Sequence, residues 1–421
     1  MKKNILTFKG CNYLRQRLIL STLSCKPIQI TDIRAGDLDG EPGLKEYEVN
    51  LLRLIDKLTN GTTLEVNETG TTLVFQPGIL VGGSIQHECC KERAIGYYFE
   101  VCLAFAPFCK KGLQIVLRGV TNNQKDPSVD SFKAGALPVL KQFLVVDPGI
   151  ELTVRKRGME PEGGGEIFFN CPNIKSIKPV QNKDFGKIKR IRGTVFALRV
   201  SPAIANRIVD TAKGILLSYI PDVYLSVDHC KGPKSGKSPG FGGSIYSEST
   251  TGVVLTADAV SPPPPVTRAV PEQLGEELAY SLLEEISRGG MADSSFQSLA
   301  CLYMALHQKD VSQLLVGPLS PYTRMFHNYW SDLYPPTRKF DSYTPLYMTL
   351  HQKDVSQLLV GPLSPYTVQF LRHLKQFFGL KFKLEYESQC SPDPEEDEQR
   401  LRVGQEKVLL TCVGIGYNKL V

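Results

Sequence analysis

The stretch RGMEPEGGGE, residues 157–166, decides how the middle of this chain folds. It joins two strand-like runs, ELTVRKRG before it and EIFFNC after it. The glycines at 163–165 permit positive φ angles and let the backbone approach a ligand or another strand closely. No helix is predicted to follow, which argues against both a Walker phosphate loop and a dinucleotide-binding fingerprint. The stretch alone is therefore more typical of a tight turn than of a phosphate cradle.

The chain before this stretch mixes helices and strands without regular alternation. Hydrophobic periodicity predicts helices at 12–24, 45–59, 87–105 and 128–144. Residues 64–78 are predicted to form a β-hairpin whose turn is Asn-Glu-Thr-Gly. The hairpin interrupts the strand–helix order, so the predicted fold class is α+β, with helices on one face of each sheet and no Rossmann fold.

The sequence changes character between residues 184 and 285. Strand-like runs such as KIKRIRGTVFALRVSP are followed by SPPPPVTRAVP at 261–271. Four consecutive prolines cannot lie inside a helix or a central strand, so this segment is predicted to be a stiff, exposed connector. We interpret 184–285 as an inserted small α/β domain, between a first part at 1–183 and a last part at 286–421.

The last part contains a near-exact duplication. Residues 302–323 read LYMALHQKDVSQLLVGPLSPYT, and residues 346–367 repeat them with Thr349 in place of Ala305. Such near-identity is tighter than that of structural repeats, which share a pattern rather than a text. It favours a recent tandem duplication, an alternative exon or a gene-model error over a repeat architecture. We expect the front of the first copy and the back of the second copy to enter the fold, which would extrude about 308–351. The rival arrangement buries the strand of the first copy and loops out 324–367 instead.

Composition limits the functional class only loosely. The chain has 49 Lys and Arg residues against 43 Asp and Glu residues, a net charge of +6. This mild excess is compatible with an RNA partner and equally with an ordinary soluble protein. The 11 cysteines form no Cys-X-X-Cys pair, which favours reduced thiols over a disulfide frame or a zinc site. No apolar run approaches the length of a membrane span, so we expect a soluble intracellular protein with no metal and no cofactor.

Five motifs together point to a family. They are GCNYLRQR at 10–17, FQPG at 75–78, LRGVTN at 117–122, RGMEPEGGGE at 157–166 and SPGFGG at 238–243. In this order they resemble the RNA 3′-terminal phosphate cyclases, and most closely the non-catalytic, cyclase-like branch. The resemblance covers all but about 44 residues, the length added by the duplication. It implies three repeated α+β units, each similar to the C-terminal domain of translation initiation factor three, with a smaller domain inserted before the last unit.

The resemblance also implies that the catalytic site is incomplete. True cyclases use a histidine nucleophile that becomes adenylylated, together with arginines that clamp phosphates. Tyr366, or Tyr322 in the other copy, stands at the place of that histidine. A neutral phenol with a pKa near 10 is a poor nucleophile at pH 7 unless a base lies beside it. No histidine of this chain matches the required place, and His373 is expected on an exposed, basic face of its helix.

Other positions of the cyclase site are only partly matched. Arg15 and Arg34 correspond to clamp arginines, whereas Asp37 stands near a third, where it would repel phosphate. The Asp-Gln pair that binds adenylate in cyclases falls near Ser298-Leu299, or near Gln297 if the alignment shifts by one residue.

The resemblance implies a non-catalytic ribosome biogenesis factor of the small-subunit processome in the nucleolus. It would support early pre-rRNA processing and 18S rRNA maturation, bind U3-type processome RNA, and bind and activate an assembly GTPase. The alternative is an RNA-processing enzyme, either a pre-rRNA endonuclease or a residual cyclase. Lys125, Asp126 and Asp130 could then hold a metal ion or activate a hydroxyl, but helix capping by Asp126 or Ser128 is the favoured interpretation, because such capping is common at this position.

Two sets of cations are candidates for binding. Planar guanidinium groups grip phosphate well, and the arginines left from the catalytic set are the RNA candidates, each of which could instead belong to a structural salt bridge: Arg15, Arg17, Arg34, Arg118 and Arg157. Arg372 and Lys375 form a basic stripe on the helix VQFLRHLKQFF, whose apolar side should face the core. We expect this stripe to contact the GTPase or RNA.

Overall fold

The computed structural model describes residues 5–36, 42–147, 149–182, 185–263, 269–306, 313–314, 356–360, 365–380, 383–386 and 408–412. The fold is α+β, with four sheets of four or five strands and one two-stranded ribbon among these residues. No helix in these ranges is both long and apolar enough to cross a lipid bilayer. The nine cysteines described are all free thiols, and most are buried.

The first sheet has the strand order β1-β2-β5-β4. Its strands are β1 (Leu6–Lys9), β2 (Ile28–Thr31), β4 (Thr63–Val66) and β5 (Leu73–Gln76), and its helices are α1 (Leu14–Ser24) and α2 (Glu46–Leu58). The short strands β3 (Thr59–Asn60) and β6 (Ile79–Leu80) form the separate ribbon. Strands β4 and β5 pair antiparallel, which confirms the predicted hairpin.

The second sheet has the order β7-β8-β10-β9, with the same pairing directions as the first. Its strands are β7 (Gly83–Glu88), β8 (Leu113–Gly119), β9 (Glu151–Lys156) and β10 (Gly165–Cys171). Helix α3 (Ile95–Phe105) covers it, with α4 (Val129–Ser131), a π-turn (Phe132–Ala136) and α5 (Leu137–Gln142) running on as one helical segment. The predicted helix at 87–105 began too early, because residues 83–88 pair in parallel with β8.

A third sheet, in the order β13-β12-β14-β15, lies within the region predicted as an insertion, and we call it the inserted sheet after that prediction. Its strands are β12 (Ile188–Leu198), β13 (Val223–Cys230), β14 (Gly240–Ser249) and β15 (Val254–Val260). Helices α6 (Pro202–Leu216) and α7 (Pro271–Arg288) bury one face of this sheet in a core of their own, around Ile191, Val195, Ile245 and Leu278. The predicted domain boundaries and the three repeated units stay predictions.

Both copies of the duplication contribute to the end of the fold. Residues 302–306 of the first copy lie in helix α8 (Gln297–Leu306), which is buried, and the second copy supplies β17 (Ser356–Val360) and the start of α9 (Pro365–Phe378). This agrees with the expectation that the front of the first copy and the back of the second copy enter the fold. However, Gln313–Leu314 of the first copy forms β16, which pairs in parallel with the matching residues of β17, so this dipeptide is not extruded. The rest of 308–351 lies outside the described residues.

The last sheet has the order β11-β16-β17-β19-β18. Its remaining strands are β11 (Gln181–Asn182), β18 (Lys383–Tyr386) and β19 (Val408–Cys412). Helix α9 packs against α1 and α8. This contact places α9 beside the helix that follows β1.

Candidate functional site

The glycine stretch at 157–166 forms a joint between the second sheet and the inserted sheet. A Cβ atom on Gly158 would lie 2.3 Å from the backbone nitrogen of Gly165, and one on Gly236 would lie 2.4 Å from the carbonyl oxygen of Gly163. The Lys237 N–H donates to that same carbonyl at 2.9 Å. Backbone therefore packs on backbone, and the stretch is a tight turn whose groups hold the protein itself.

Arg157 is the charged centre of this joint. It is 6% exposed; its Nη1 lies 2.6 Å from an Asp130 carboxylate oxygen and its Nε lies 2.8 Å from one of Asp228. Burial opposes the charge, but the two carboxylates outweigh burial and raise the pKa of Arg157. Asp130 belongs to α4 and Asp228 to β13. Arg157 is thus a structural bridge between two sheets. This is the salt-bridge role that the sequence analysis gave as the alternative to RNA binding.

Asp126 is also held by an arginine. The Arg93 guanidinium donates to both of its carboxylate oxygens, and the Ala94 N–H at the start of α3 donates at 3.0 Å. The cap of α4 is Ser128, whose hydroxyl accepts from the Ser131 N–H at 3.0 Å. Of the two capping residues considered, the structure selects Ser128, because Asp126 points towards α3 instead.

The carboxylates of the enzymatic alternative therefore do not form an open metal site. Asp126 and Asp130 are each paired with an arginine, and Lys125 is exposed. Within the described ranges, the one group of ligand-type side chains close enough to hold an ion is Glu46, Cys90 and Glu92, which lies elsewhere.

Three arginines near α1, α2 and α3 form what we call the arginine cluster: Arg15, Arg34 and Arg93. Arg15 lies 2.6 Å from Glu100, and Arg34 lies 2.7 Å from Glu48. The guanidinium groups of Arg15 and Arg93 both lie over the ring of Tyr97, at 4.6 Å and 4.3 Å from its centroid.

Internal hydrogen bonds add to these ion pairs. Arg15 also donates to the Tyr97 carbonyl and Arg34 to the Gly43 carbonyl, so each is tied to the backbone as well. The hydrogen bond from Arg34 to Glu48 outweighs burial and raises the pKa of Arg34. The structure thus directs the charges of Arg15 and Arg34, which the resemblance matches to a phosphate clamp, towards the chain's own carboxylates.

Arg17 and His373 lie against the same side chain, the ring of Phe8, whose centroid is 5.6 Å from that of the imidazole. The Nη1 of Arg17 donates to the Gly10 carbonyl at 2.7 Å and its guanidinium lies 4.8 Å from the centroid of the Phe8 ring, whereas its buried Nε has no partner among the described groups. Burial lowers the pKa of Arg17 despite the opposing effects of Cys11 and Tyr13.

The expected exposure of His373 is wrong. The imidazole is fully buried, 3.2 Å from Gln16 of α1 and 2.9 Å from Gln369. His373 belongs to the stripe of α9 that includes Phe370, Leu374 and Phe377, and this stripe faces the core at helical spacing. Burial lowers its pKa to about 3, assisted by the charges of Arg17 and Arg372.

The remaining candidates lie at the surface or outside the described residues. Arg118 pairs with Glu166 at 2.7 Å and with Glu88 at 3.0 Å. Lys375 is exposed on α9, and the half-buried Arg372 donates to Gln369 at 3.2 Å.

The positions matched to the catalytic residues are only partly described. Tyr366 lies in the first turn of α9, but its side chain is outside the described residues, as are Tyr322 and Asp37. Gln297 and Ser298 are buried at the start of α8.

Sequence reasoning missed four cations that line a common cleft: Lys133, Arg155, Lys156 and Lys234. The run Arg155-Lys156-Arg157 indicates consecutive charges at the end of β9, whereas the family motif includes only Arg157. The other two cations come from distant parts of the chain, so only the fold brings them together.

Comparison with known proteins gives the family. The family model described as RNA 3′-terminal phosphate cyclase matches residues 6–338. The chain is 50% identical over 416 residues to the human RNA 3′-terminal phosphate cyclase-like protein, covering 99% of this chain and 97% of that protein. It is 46% identical to a probable RNA 3′-terminal phosphate cyclase-like protein of Drosophila melanogaster, with 99% and 97% covered.

A further relative has a name that states a process. The rRNA processing protein rcl1 of Schizosaccharomyces pombe is 40% identical over 313 residues, which cover 74% of this chain and 85% of that protein. The family model and the human and fly relatives span most or nearly all of this sequence and agree with the motifs on which the resemblance was based. The chain belongs to the RNA 3′-terminal phosphate cyclase family, and its near relatives carry the cyclase-like name.

Proposed function

We propose that this protein is a non-catalytic factor in rRNA processing that acts through binding. The observation that carries the proposal is the state of Arg15, which the resemblance matches to a phosphate clamp. Arg15 lies 2.6 Å from Glu100, with both side chains only 14% exposed. A carboxylate at that distance already neutralises the guanidinium, and a phosphate would have to displace it.

The names of the relatives support the process. A fission yeast relative is named as an rRNA processing protein, and the human and fly relatives are named cyclase-like. We extend this to the small-subunit processome of the nucleus and nucleolus, where the chain would support early pre-rRNA processing and 18S rRNA maturation. It would bind pre-rRNA and U3-type processome RNA, and bind and activate an assembly GTPase, for which Arg372 and Lys375 are the proposed contacts.

The enzymatic alternative has less support. The tyrosine at the nucleophile's place would need a base beside it, and Asp126 and Asp130 are each occupied by an arginine. We therefore propose that the chain neither adenylylates itself nor cyclises RNA ends.

Two assays test this function. Purified protein incubated with labelled ATP should acquire no covalent label, and RNA with a 3′-phosphate should not be cyclised. Stable transfer of label onto a histidine would overturn the non-catalytic assignment. In cells depleted of the endogenous protein, early pre-rRNA cleavages should fail and should be restored by this chain. Normal processing without the chain would overturn the role in rRNA maturation.

A further inference from the structure

A cleft of about 750 Å³ lies between the second sheet and the inserted sheet. One wall is β9, an edge strand of its sheet, and the floor is the face of β12 and β14 that carries Thr194, Ser244 and Tyr246. Lys133 enters from the π-turn that follows α4. The joint around Arg157 closes one end, so the cleft is a space held between two sheets.

The lining is strongly positive where it is open. Five cationic side chains and two carboxylates line the cleft, which gives a net formal charge of +3. Both carboxylates, Asp130 and Asp228, are already bound by Arg157. In the part of the chain that the structure describes, Lys133, Lys156 and Lys234 take part in no ion pair. Three unpaired lysines from three separate elements create a local field that favours a polyanion.

A row of flat side chains crosses the inserted sheet beside the cleft. Arg192 of β12 lies directly opposite Tyr224 of β13 and Tyr246 of β14 in the strand register. Directly opposite residues share a face, and this face is the one opposite to the core residues Ile191 and Ile245. Tyr224 is 64% exposed. We call these three residues the aromatic row.

The aromatic row decides which polyanion fits. An acidic peptide would match the lysines, but it would leave the exposed Tyr224 and the half-buried Tyr246 without a specific role. Single-stranded RNA offers phosphates to lysines and unstacked bases to aromatic rings and arginine planes, which is how many sheets recognise it. The base pairs of duplex RNA are already stacked, so a duplex cannot use the row in this way.

We propose that the cleft and the aromatic row bind single-stranded RNA, with lysines on phosphates and with Tyr224 and Tyr246 stacking on bases. This inference rests on the proposed function, because that function supplies the RNA partner, and it assigns the place where the RNA lies. The cleft would bind RNA through electrostatic attraction, and the aromatic row would bind it through stacking. The two contributions to affinity can therefore be removed separately.

The first test removes the charges. Binding of a fluorescent single-stranded RNA of about 12 nucleotides is measured by anisotropy over a range of salt concentrations. The variant K133E/K156E/K234E should bind about 30-fold more weakly, and its slope of log affinity against log salt should be smaller by about 2, since each lost phosphate contact removes about 0.7. The control K26E/K175E/K178E changes the net charge equally at exposed lysines that do not line the cleft, and it should keep the slope.

The second test removes stacking. Tyr224→Ala should weaken binding by roughly 5- to 100-fold without changing the salt slope, whereas Tyr280→Ala on α7, at a tyrosine that is 58% exposed, should change nothing. A duplex of the same sequence should compete poorly. All variants are first checked for a native unfolding transition, which surface substitutions should preserve.

The outcomes separate the inference from the function beneath it. Wild-type protein that binds no single-stranded RNA, or cleft variants that bind it as the controls do, overturn the cleft assignment. The cleft assignment is also overturned, in favour of a protein ligand, if K133E/K156E/K234E loses binding to an acidic peptide but retains binding to RNA. If the chain is required for pre-rRNA cleavage in any of these cases, the proposed function stands. Cleavage that proceeds normally without the chain overturns the function itself.

Discussion

In the arginine cluster, Arg15 and Arg34 each lie against an internal carboxylate, whereas in the cleft three lysines have no partner among the described residues. Both regions carry positive charge, but the arginines of the cluster are already paired within the protein, whereas the lysines of the cleft are available to a ligand. Arginine with a carboxylate in a partly buried setting forms strong, directional pairs that stabilise the fold. Unpaired lysines cost little at a surface and remain free to meet phosphates. The two arginines that the resemblance matches to a phosphate clamp are thus engaged within the fold, and our proposal places RNA binding in the cleft instead.

Arg157 and Arg155, two residues apart in the chain, allow a buried, ion-paired arginine to be compared with an exposed one. Arg157→Met leaves Asp130 and Asp228 without their cation. It should lower the free energy of unfolding by about 3 kcal/mol, because breaking a buried ion pair leaves a buried charge without a partner. Arg155 is 46% exposed at its side chain, so Arg155→Met should cost at most about 0.5 kcal/mol. Chemical denaturation of both variants gives the answer. Equal losses for the two would show that Arg157 is not a buried bridge.

Arg15 tests the arginine cluster in the same way. Arg15→Ala removes the partner of Glu100 and the stacking on Tyr97, and it should destabilise the protein by about 2 kcal/mol. Binding of single-stranded RNA should be unchanged once the variant is measured below its unfolding range. A large loss of RNA affinity with little loss of stability would reverse the comparison, since Arg15 would then be a ligand contact.

His373 tests the closed region through pH. Its folded pKa of about 3 lies below the unfolded value of 6.5, so the unfolded chain takes up the proton first as the pH falls. Stability from this group is therefore present above pH 6.5 and is lost between pH 6.5 and pH 3, with a slope of at most about 1.4 kcal/mol per pH unit.

The matched variant is His373→Gln, which can still hydrogen-bond to Gln16 and Gln369 but cannot titrate. Its unfolding free energy, measured by denaturant titration at several pH values, should depend less on pH than that of the wild type. Some dependence remains from His87, whose pKa burial lowers to about 4. Identical pH profiles for the two proteins would mean that His373 is accessible to protons in the folded state.

The smallest effect on stability is expected at the surface of α9. Arg372→Glu with Lys375→Glu should change the free energy of unfolding by no more than about 0.5 kcal/mol per site. If these residues contact the assembly GTPase as proposed, reversing their charges adds repulsion and removes steering, so binding of the GTPase should fall while RNA binding in the cleft persists. Co-purification of the double variant with normal amounts of GTPase would remove α9 from the interface.

Local patterns predicted local structure well. The hairpin of β4 and β5 follows from its turn residues and its alternating sequence, and α2 ends within one residue of its predicted end. The error at 87–105 arose because pairing with β8 overrides the local helical pattern. The prediction for His373 was wrong because it gave weight to the charged neighbours at 372 and 375. The helical spacing of His373 with Phe370, Leu374 and Phe377 places it on the buried face of α9 instead.

The site depends on contacts that no local pattern contains. Arg157 meets Asp130 at a separation of 27 residues and Asp228 at a separation of 71 residues. A sequence shows that these residues are charged, but it does not show which of them neutralise one another. The cleft has the same origin, because Lys133, Lys156 and Lys234 converge only after two sheets have met across the glycine joint.

The most direct test asks where RNA touches the protein. Single-stranded RNA is crosslinked to the purified wild-type chain by ultraviolet light, and the modified peptides are identified by mass spectrometry. Our account predicts crosslinks on peptides that contain Tyr224, Tyr246 or the β9 residues Arg155 and Lys156. Crosslinks confined to peptides of the arginine cluster, with none at the cleft or the aromatic row, would contradict it.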